Sequence, residues 1–513
     1  MIRFGSLGDV VLTAPVITNL KIAYPRCRIT FLTKEQFAPV VRMFSGVDDV
    51  QAIAGKMSLR RLYSTLLDLD HQNFDIVVDL HGNLRSWLSR TIVGSPRTLW
   101  YPKRRKERWL IVHRKKFPTD DIHTVEAYNA ALAPLGITTP CRRPSLEPRD
   151  TAESPLPVST PYIVVAPGAA HANKQYPLER FAESSARIAQ ERNVSIVWAV
   201  TTQDANKSGL ENSLGAKRFV ELVDRPLDSL GNVLAGALMT LSNDSGLMHL
   251  SSAVGTPVVS IFGPTHPALG FSPTGQFDQI LQVDEPCRPC SLHGKKKCYR
   301  TERFCFTRIA AGDVALAAGA LIERRRDMTP ALLVDRDGTL IVDKDYLADP
   351  AGVELIPGAA AALKQVRDKG YKVVVLSNQS GVARGKFGLD AVDRVNNRLK
   401  ELLGREGVTL DGIYFCPHYP GGIVPEFTLR CDCRKPFPGM AEQAARDLNL
   451  DLRRSWVVGD KLDDLNLASA IGASAILVRT GYGRASETEL TKGGEQVRVP
   501  VVDSLAQVVP LIV

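Results

Sequence analysis

The sequence predicts an α/β protein of three consecutive units, each built around a parallel sheet. Short β-branched apolar runs alternate with helix-length amphipathic stretches along almost the whole chain, which is the pattern of βαβ units. At 513 residues the chain is too long for one core of ordinary size. Two breaks interrupt the alternation. One is a Ser/Thr-containing stretch with Pro155, Pro157 and Pro161; the other is the charged run Glu323-Arg324-Arg325-Arg326-Asp327 ahead of a new apolar segment. The units are therefore expected at 1–155, 156–327 and 328–513. Strands are expected at Ile29–Leu32, Ile76–Asp79, Tyr162–Ala166, Ser195–Val200, Pro257–Phe262, Ala331–Val334, Lys372–Ser377, Ser455–Val458 and Ala475–Val478.

Composition sets the class. Hydrophobic residues make up 44% and charged residues 23%, as in globular proteins. No apolar run reaches the roughly 20 residues that span a bilayer. Residues 1–6 lack a basic-then-apolar signal pattern, so the expected compartment is the cytoplasm. The net charge of +9 is unevenly spread. Lys103, Arg104, Arg105, Lys106, Arg108, Arg114, Lys115 and Lys116 crowd one stretch, interleaved with Trp100, Tyr101 and Trp109. Two readings stay open: a solvated, partly helical face, or a site for an anionic partner. That partner would be a phosphorylated glycolipid or an anionic membrane surface, giving peripheral contact with the inner membrane. Nucleic acid is not an expected partner, because no recognition motif accompanies the charge.

In the third unit, Leu333-Val334-Asp335-Arg336-Asp337-Gly338-Thr339 ends a buried strand in two carboxylates two residues apart, ahead of a turn glycine. Extended-chain alternation puts both on one side at the strand's carboxyl end. One carboxylate can attack while the other carries a proton. Isolated, such a pair would be read as a helix cap beside a turn. Three more elements follow in order: the hydroxyl- and amide-rich turn Ser377-Asn378-Gln379-Ser380-Gly381, the cations of Arg434-Lys435-Pro436, and the strand end Val457-Val458-Gly459-Asp460-Lys461. This ordered set resembles the haloacid-dehalogenase superfamily. The resemblance implies Asp335 as nucleophile through an aspartyl-phosphate and Asp337 as acid and base. Ser377 and Lys435 would hold the phosphoryl group. Catalytic Mg²⁺ would be bound by Asp335, Asp460 and the Asp337 carbonyl. Asp463 and Asp464 are read either as support for the metal shell or as surface charge.

Cys416-Pro417-His418 and Cys431-Asp432-Cys433 place three thiols and one imidazole just before Lys435, a donor set suited to structural zinc. An ion there would pre-position the phosphate-binding cations. DRDGT, SNQSGVARG, CPH…CDCRKP and VGDK together are similar to the heptose 1,7-bisphosphate 7-phosphatase subfamily, with histidinol-phosphate phosphatase as a close relative. That similarity implies heptose bisphosphate as substrate. Asp343, Lys344, Asp345 and Tyr346 would line it with Ser377, Asn378, Gln379 and Ser380, while Arg434 and Lys461 contact it.

The first two units carry Gly5-Ser6-Leu7-Gly8-Asp9, a Gly-flanked turn into a helix expected to start near Asp9, where a capping role is the plain alternative. They also carry DLHGNLRS, PGAAHANKQYP, NDSGLMHL and GTPVVSIFGPT. These segments resemble the lipopolysaccharide heptosyltransferases of glycosyltransferase family 9, which implies a GT-B pair of Rossmann-like halves with the active site between them. The implied roles are Asp9 as base, and Lys174 with the helix start Asp244-Ser245-Gly246 stabilising the leaving nucleotide diphosphate without a metal. His249 would touch the donor or be a satisfied helix histidine. The implied donor is ADP-heptose and the acceptor an anionic lipid A/Kdo-type core precursor. Leu222-Val223-Asp224-Arg225-Pro226 stands where the family has a Gly-Lys-Thr-like turn, which leaves the nucleotide open.

Nine cysteines in a cytosolic chain point to metal or free thiols. Cys287-x-x-Cys290 with Cys298 and Cys305 fits a second zinc site and fits free thiols equally, with His293 a competing ligand. The whole reads as a bifunctional enzyme of lipopolysaccharide core heptose assembly. The alternatives are a histidinol-phosphate or other sugar phosphatase, and a noncatalytic lipid-binding or scaffolding first half.

Overall fold

A computed structural model describes residues 1–55, 59–119, 122–148, 156–158, 161–491 and 499–512. Pro155 and the unit boundary expected beside it border or lie outside the described residues. The chain divides into two compact units, Met1–Arg326 and Asp327–Val513. Among the described residues no helix is long and apolar enough to cross a membrane.

The first unit contains two Rossmann-like halves, a GT-B pair. In the first half Thr30–Lys34 pairs with Asp49–Ile53, and Ile76–Asp79 with Arg97–Trp100, all parallel. Ile2 bridges Leu32 on one side and Asp79 on the other, so the chain begins in the middle of this sheet. Residues 1–4 form a bridge and not a ladder; Gly5 then turns the chain at φ +134° and a helix follows at Leu7–Val11. That helix starts two residues before Asp9 and not at it.

The second half is a six-stranded parallel sheet, in the order Gln279–Leu281, Val258–Ile261, Thr240–Asn243, Tyr162–Ala166, Ser195–Val200, Phe219–Val223. Tyr162–Ala166 and Ser195–Val200 are buried at every position, as covered parallel strands are. Strand order reverses between Tyr162–Ala166 and Thr240–Asn243, and a cleft opens beyond their carboxyl ends, where such folds bind ligands.

The second unit is a haloacid-dehalogenase-type Rossmannoid domain. Its parallel sheet runs Gly412–Cys416, Lys372–Asn378, Ala331–Val334, Trp456–Gly459, Ser474–Val478, Val501–Val502. Val334 is in register with Val375 on one neighbour and Val458 on the other. This register brings the three motif-bearing strand ends together.

Candidate active sites

In the second unit the ends of Ala331–Val334, Lys372–Asn378 and Trp456–Gly459 converge on Lys435. Its Nζ donates to Asp335 Oδ1 at 2.5 Å, Asp464 Oδ1 at 2.6 Å and the Leu376 carbonyl at 2.7 Å. All three side chains are buried. An ammonium taken out of water survives there only because two carboxylates and a carbonyl replace its hydration. Burial alone would lower its pKa, and Asp335 and Asp464 raise it instead. Burial pushes the Asp335 carboxyl up to about 6, against the pull of Lys435. Burial and the neighbouring Asp335 do the same to Asp460.

Asp335, Asp460 and Asp464 each offer an oxygen within 4.8 Å of the others. Asp460 is buried, and its Oδ1 has no hydrogen-bond partner. An orphaned carboxylate oxygen beside a second crowded carboxylate fits a hard divalent cation. Two glycines make room for that carboxylate. A Cβ at Gly338 or Gly481, both at positive φ, would stand 2.4 or 2.2 Å from Asp460 Oδ2.

The Asp337 carboxylate is turned away from this group. Arg336 Nε and Nη2 donate to it at 3.0 and 3.2 Å, Gln379 Nε2 at 2.8 Å and the Ser377 hydroxyl at 3.3 Å. Arg336 is itself buried and donates to Asn396 at 2.8 Å. Asp464 is also buried, so its surface-charge reading is wrong: it holds Lys435 and accepts from the Lys461 N–H at 3.2 Å. Arg336, Asn396 and the role of Asp464 were missed from sequence. Only Asp464 carried a signal, its place as third residue of the helix Leu462–Ile471.

Around this centre, Lys461 Nζ lies 3.7 Å from Asp343 and over the Tyr482 ring. Asp345 accepts from the Tyr482 hydroxyl at 3.3 Å. Asp345 and Tyr346 both adopt positive φ, which bends the segment. Lys344 pairs with Glu354 at 3.2 Å on the exposed side. Ser380 is half-buried beside Gln379. Arg434 lies over the Tyr419 ring and donates to the His418 carbonyl at 3.5 Å.

Cys416, His418, Cys431 and Cys433 form the second close ligand set. Sulfur–sulfur distances are 3.2 to 3.5 Å, and His418 Nδ1 lies 3.2 Å from Cys433 Sγ. Three thiols facing one imidazole at this spacing could hold a metal ion. The cluster is tied to the Asp335 pocket: Asn378 Nδ2 donates to the Lys435 carbonyl at 3.1 Å, and the Lys435 N–H donates to Asn378 Oδ1 at 3.0 Å. Asn378 is also in register with Cys416.

In the first unit Asp9 borders two cavities, of about 890 and 870 Å³. Arg3 approaches its Oδ1 at 2.8 Å and the Tyr128 hydroxyl donates to the same oxygen at 3.1 Å. The Ser6 N–H and hydroxyl donate to Oδ2 at 3.2 and 2.9 Å. Asp9 therefore both closes the capping box of its helix, whose cap is Ser6, and faces the cleft. Burial would raise its pKa, but Arg3, Ser6 and Tyr128 outweigh burial and hold it below the ordinary value.

The first cavity carries Lys103, Arg105, Arg108 and Lys115 of the basic stretch, with His81. Asp79 holds the turn that presents His81, accepting from the His81 and Gly82 N–H groups and the Ser86 hydroxyl. Arg104 instead pairs with Glu107. The second cavity carries Lys174, Asp224, Asp244, Ser245, Gly246 and His249 among its lining. Asp244 is committed to Lys174 at 2.6 Å and to the Thr265 hydroxyl at 2.6 Å, so its carboxylate holds the lysine.

The helices Leu7–Val11 and Gly246–Ala253 meet glycine to side chain: a Cβ on Gly8 would stand 2.5 Å from His249 Cδ2, and one on Gly246 2.7 Å from Leu7 Cβ. Burial lowers the His249 pKa from 6.5 to about 4. A folded pKa below the unfolded one means that the unfolded chain binds the extra proton between those values. Stability is full above pH 6.5 and falls as the pH drops toward 4, a loss of about 3 kcal/mol. Urea midpoints of the wild type and His249→Gln at pH 7.5 and 5 are expected to converge on acidification; parallel loss in both would refute this.

A family model for glycosyltransferase family 9 (heptosyltransferase) matches residues 53–299. Models described as HAD-hydrolase-like and polynucleotide kinase 3 phosphatase match residues 432–508 and 332–468. The D-glycero-beta-D-manno-heptose-1,7-bisphosphate 7-phosphatase of Haemophilus ducreyi is 44% identical over 184 residues, covering 36% of this chain and 97% of that protein. The Yersinia pestis protein of the same name is 42% identical over 179 residues, 34% of this chain and 92% of its own. The structure of E. coli ADP-heptose LPS heptosyltransferase II aligns over 63% of this chain and 98% of that one, at 18% identity and a TM-score of 0.49.

Proposed function

The last third of this chain belongs to the D-glycero-beta-D-manno-heptose-1,7-bisphosphate 7-phosphatase family, and on that premise we propose a bifunctional enzyme of lipopolysaccharide core heptose biosynthesis. The second unit removes the 7-phosphate of D-glycero-D-manno-heptose 1,7-bisphosphate. The first transfers heptose from ADP-heptose to an anionic lipid A/Kdo-type acceptor. The observation that carries the first activity is the buried triad of Asp335, Lys435 and Asp464 beside the orphaned Asp460 oxygen.

Asp335 attacks phosphorus and forms an acyl phosphate while the sugar oxygen leaves with a proton from Asp337. Asp337 then takes a proton from water as that water displaces the aspartyl oxygen. Lys435 and Ser377 hold the phosphoryl oxygens, and Lys461, Arg434 and the Asp343–Tyr346 segment hold the sugar. Asp337 must swing from Arg336 to reach the leaving oxygen. Asp335, Asp460 and the Asp337 carbonyl would hold Mg²⁺, which would supply positive charge to offset that of the phosphate. Cys416, His418, Cys431 and Cys433 would hold zinc in a structural role.

In the first unit Asp9 takes the acceptor hydroxyl's proton. Its low pKa makes it a base that accepts the proton late, as the new glycosidic bond forms. Lys174 and the helix start at Ser245-Gly246 receive the departing diphosphate, and the Lys103–Lys115 cations receive the acceptor's anionic groups. The three domains meet at 155 and 327, and the chain works in the cytoplasm, against the inner membrane where the acceptor lies.

The deciding assay offers the purified chain and Mg²⁺ either the heptose bisphosphate or histidinol phosphate. One phosphate released from the bisphosphate alone is expected, and release from histidinol phosphate alone would overturn the phosphatase reading. In parallel, Asp9→Asn is expected to slow transfer from ADP-heptose about 10³-fold. Unchanged transfer would remove Asp9 as base.

A further inference from the structure

Cys287, Cys290, Cys298 and Cys305 line one small cavity of about 10 Å³, room for a single ion or water. We propose that this cavity is a second thiolate metal site for a soft divalent cation such as zinc or ferrous iron, and that the ion staples the loop Ser291–Lys297 beside the first unit's cleft.

All four cysteines are free thiols, and three of them are half-buried on irregular chain, where apolar packing does not account for them. The Cys287-Arg288-Pro289-Cys290 turn is fixed from behind. Arg288 is buried and donates to the carbonyls of Thr265 at 2.9 Å, Gly263 and Val283, and to Gln282 Oε1 at 3.0 Å. The Cys290 N–H donates to the Pro264 carbonyl at 2.8 Å. With Arg288 committed inward, the two flanking thiols are left at the cavity. Cys305 sits on the short helix Phe304–Thr307 and belongs to the second half's apolar core. Two carboxylates also line the cavity: Glu285 is neutralised by Arg300 at 3.0 Å and Arg308 at 2.6 Å, and Glu302 is exposed. Four thiols are the main donors of the cavity, and soft cations prefer sulfur.

The four sulfurs are more widely spaced than those of Cys416, Cys431 and Cys433, which stand within one coordination shell. Binding must draw them together, with Cys298 entering from the end of the loop Ser291–Lys297. The loop it closes runs against the cleft. A Cβ on Gly294 would stand 2.3 Å from Lys174 Cγ, and Asn173 Nδ2 donates to the Lys296 carbonyl at 2.8 Å. His293 borders both cavities on Asp9, Lys295 the second and Lys296 and Lys297 the first. An ion at the loop's base would fix where these cations stand. Only that last consequence rests on the transferase reading; the metal site does not.

The test is metal content of the desalted full chain by mass spectrometry. Two thiolate-bound ions per chain are expected, falling to one in Cys287→Ser/Cys290→Ser and to one in Cys431→Ser/Cys433→Ser. Wild-type content in the first variant overturns the site, whatever the second shows. Trypsin should cut at Lys295–Lys297 about tenfold faster in the first variant than in the wild type, since cleavage follows local opening, and not in the second; equal rates overturn the staple. Should the first variant fail to fold, chelated wild type carries the test. Added zinc should protect Cys287 and Cys290 from iodoacetamide, and alkylation at the same rate with and without zinc overturns the proposal.

Discussion

Asp335→Asn is expected to lower phosphate release from heptose bisphosphate by about 10⁴-fold or more, the scale on which loss of a nucleophile acts. The amide keeps the shape of the carboxylate and cannot form the acyl phosphate. The substitution should not unfold the unit. Asp335 is a buried acid whose pKa burial has pushed up to about 6, so its charge is held at a cost. Lys435 keeps Asp464 as counter-ion at 2.6 Å and the Leu376 carbonyl at 2.7 Å. Thermal melting close to the wild type together with lost turnover is the expected pair of results. Turnover within tenfold of wild type would remove Asp335 as nucleophile. A collapsed melt would mean that its charge holds the pocket together.

Lys435→Met should do the opposite to stability. It leaves Asp335 and Asp464 buried side by side with their shared cation gone. Breaking a buried ion pair from one side costs about 3–5 kcal/mol, far more than the pair contributes net. Phosphate release should vanish as well, because the phosphoryl oxygens lose their buried cation. Two measurements separate the effects: the denaturation midpoint, and activity with saturating Mg²⁺, which restores part of the lost positive charge. The double variant Lys435→Met/Asp464→Leu should regain most of the stability and none of the activity. If Lys435→Met melts like the wild type, the carboxylates are already protonated or solvated, and the network drawn here is not the one that matters.

What could be read from the sequence is what lies on a strand end. Asp335, Asp337, Ser377 and Asp460 each follow a short apolar run, so alternation and turn chemistry announce them before any contact is known. The metal-competent set Cys416, His418, Cys431 and Cys433 is legible for a similar reason: its spacing is local. Partners that meet only in three dimensions leave no such mark. Asn396 reaches Arg336 from the middle of the helix Leu389–Arg405, and Tyr128 reaches Asp9 across 119 positions. Strands at sheet margins escaped as well. Arg97–Trp100 alternates poorly and exposes Arg97 and Trp100, and Gly412–Cys416 is only partly covered up to its last residue. Thr240–Asn243 is buried, but three of its four residues are polar, which masks it as a turn. The helix expected near Asp9 begins at Leu7, because Ser6, its cap, is bonded by Asp9 inside the helix.

The division after Arg326 has a consequence in genetics. Each unit has its own cores, and each candidate site draws its residues from one unit only. One transcript then fixes the two activities at equal dosage, while a lesion in either leaves the other unit's site intact. An allele disabled at Asp9 and another disabled at Asp335 would behave, in one cell, as mutations in two different genes.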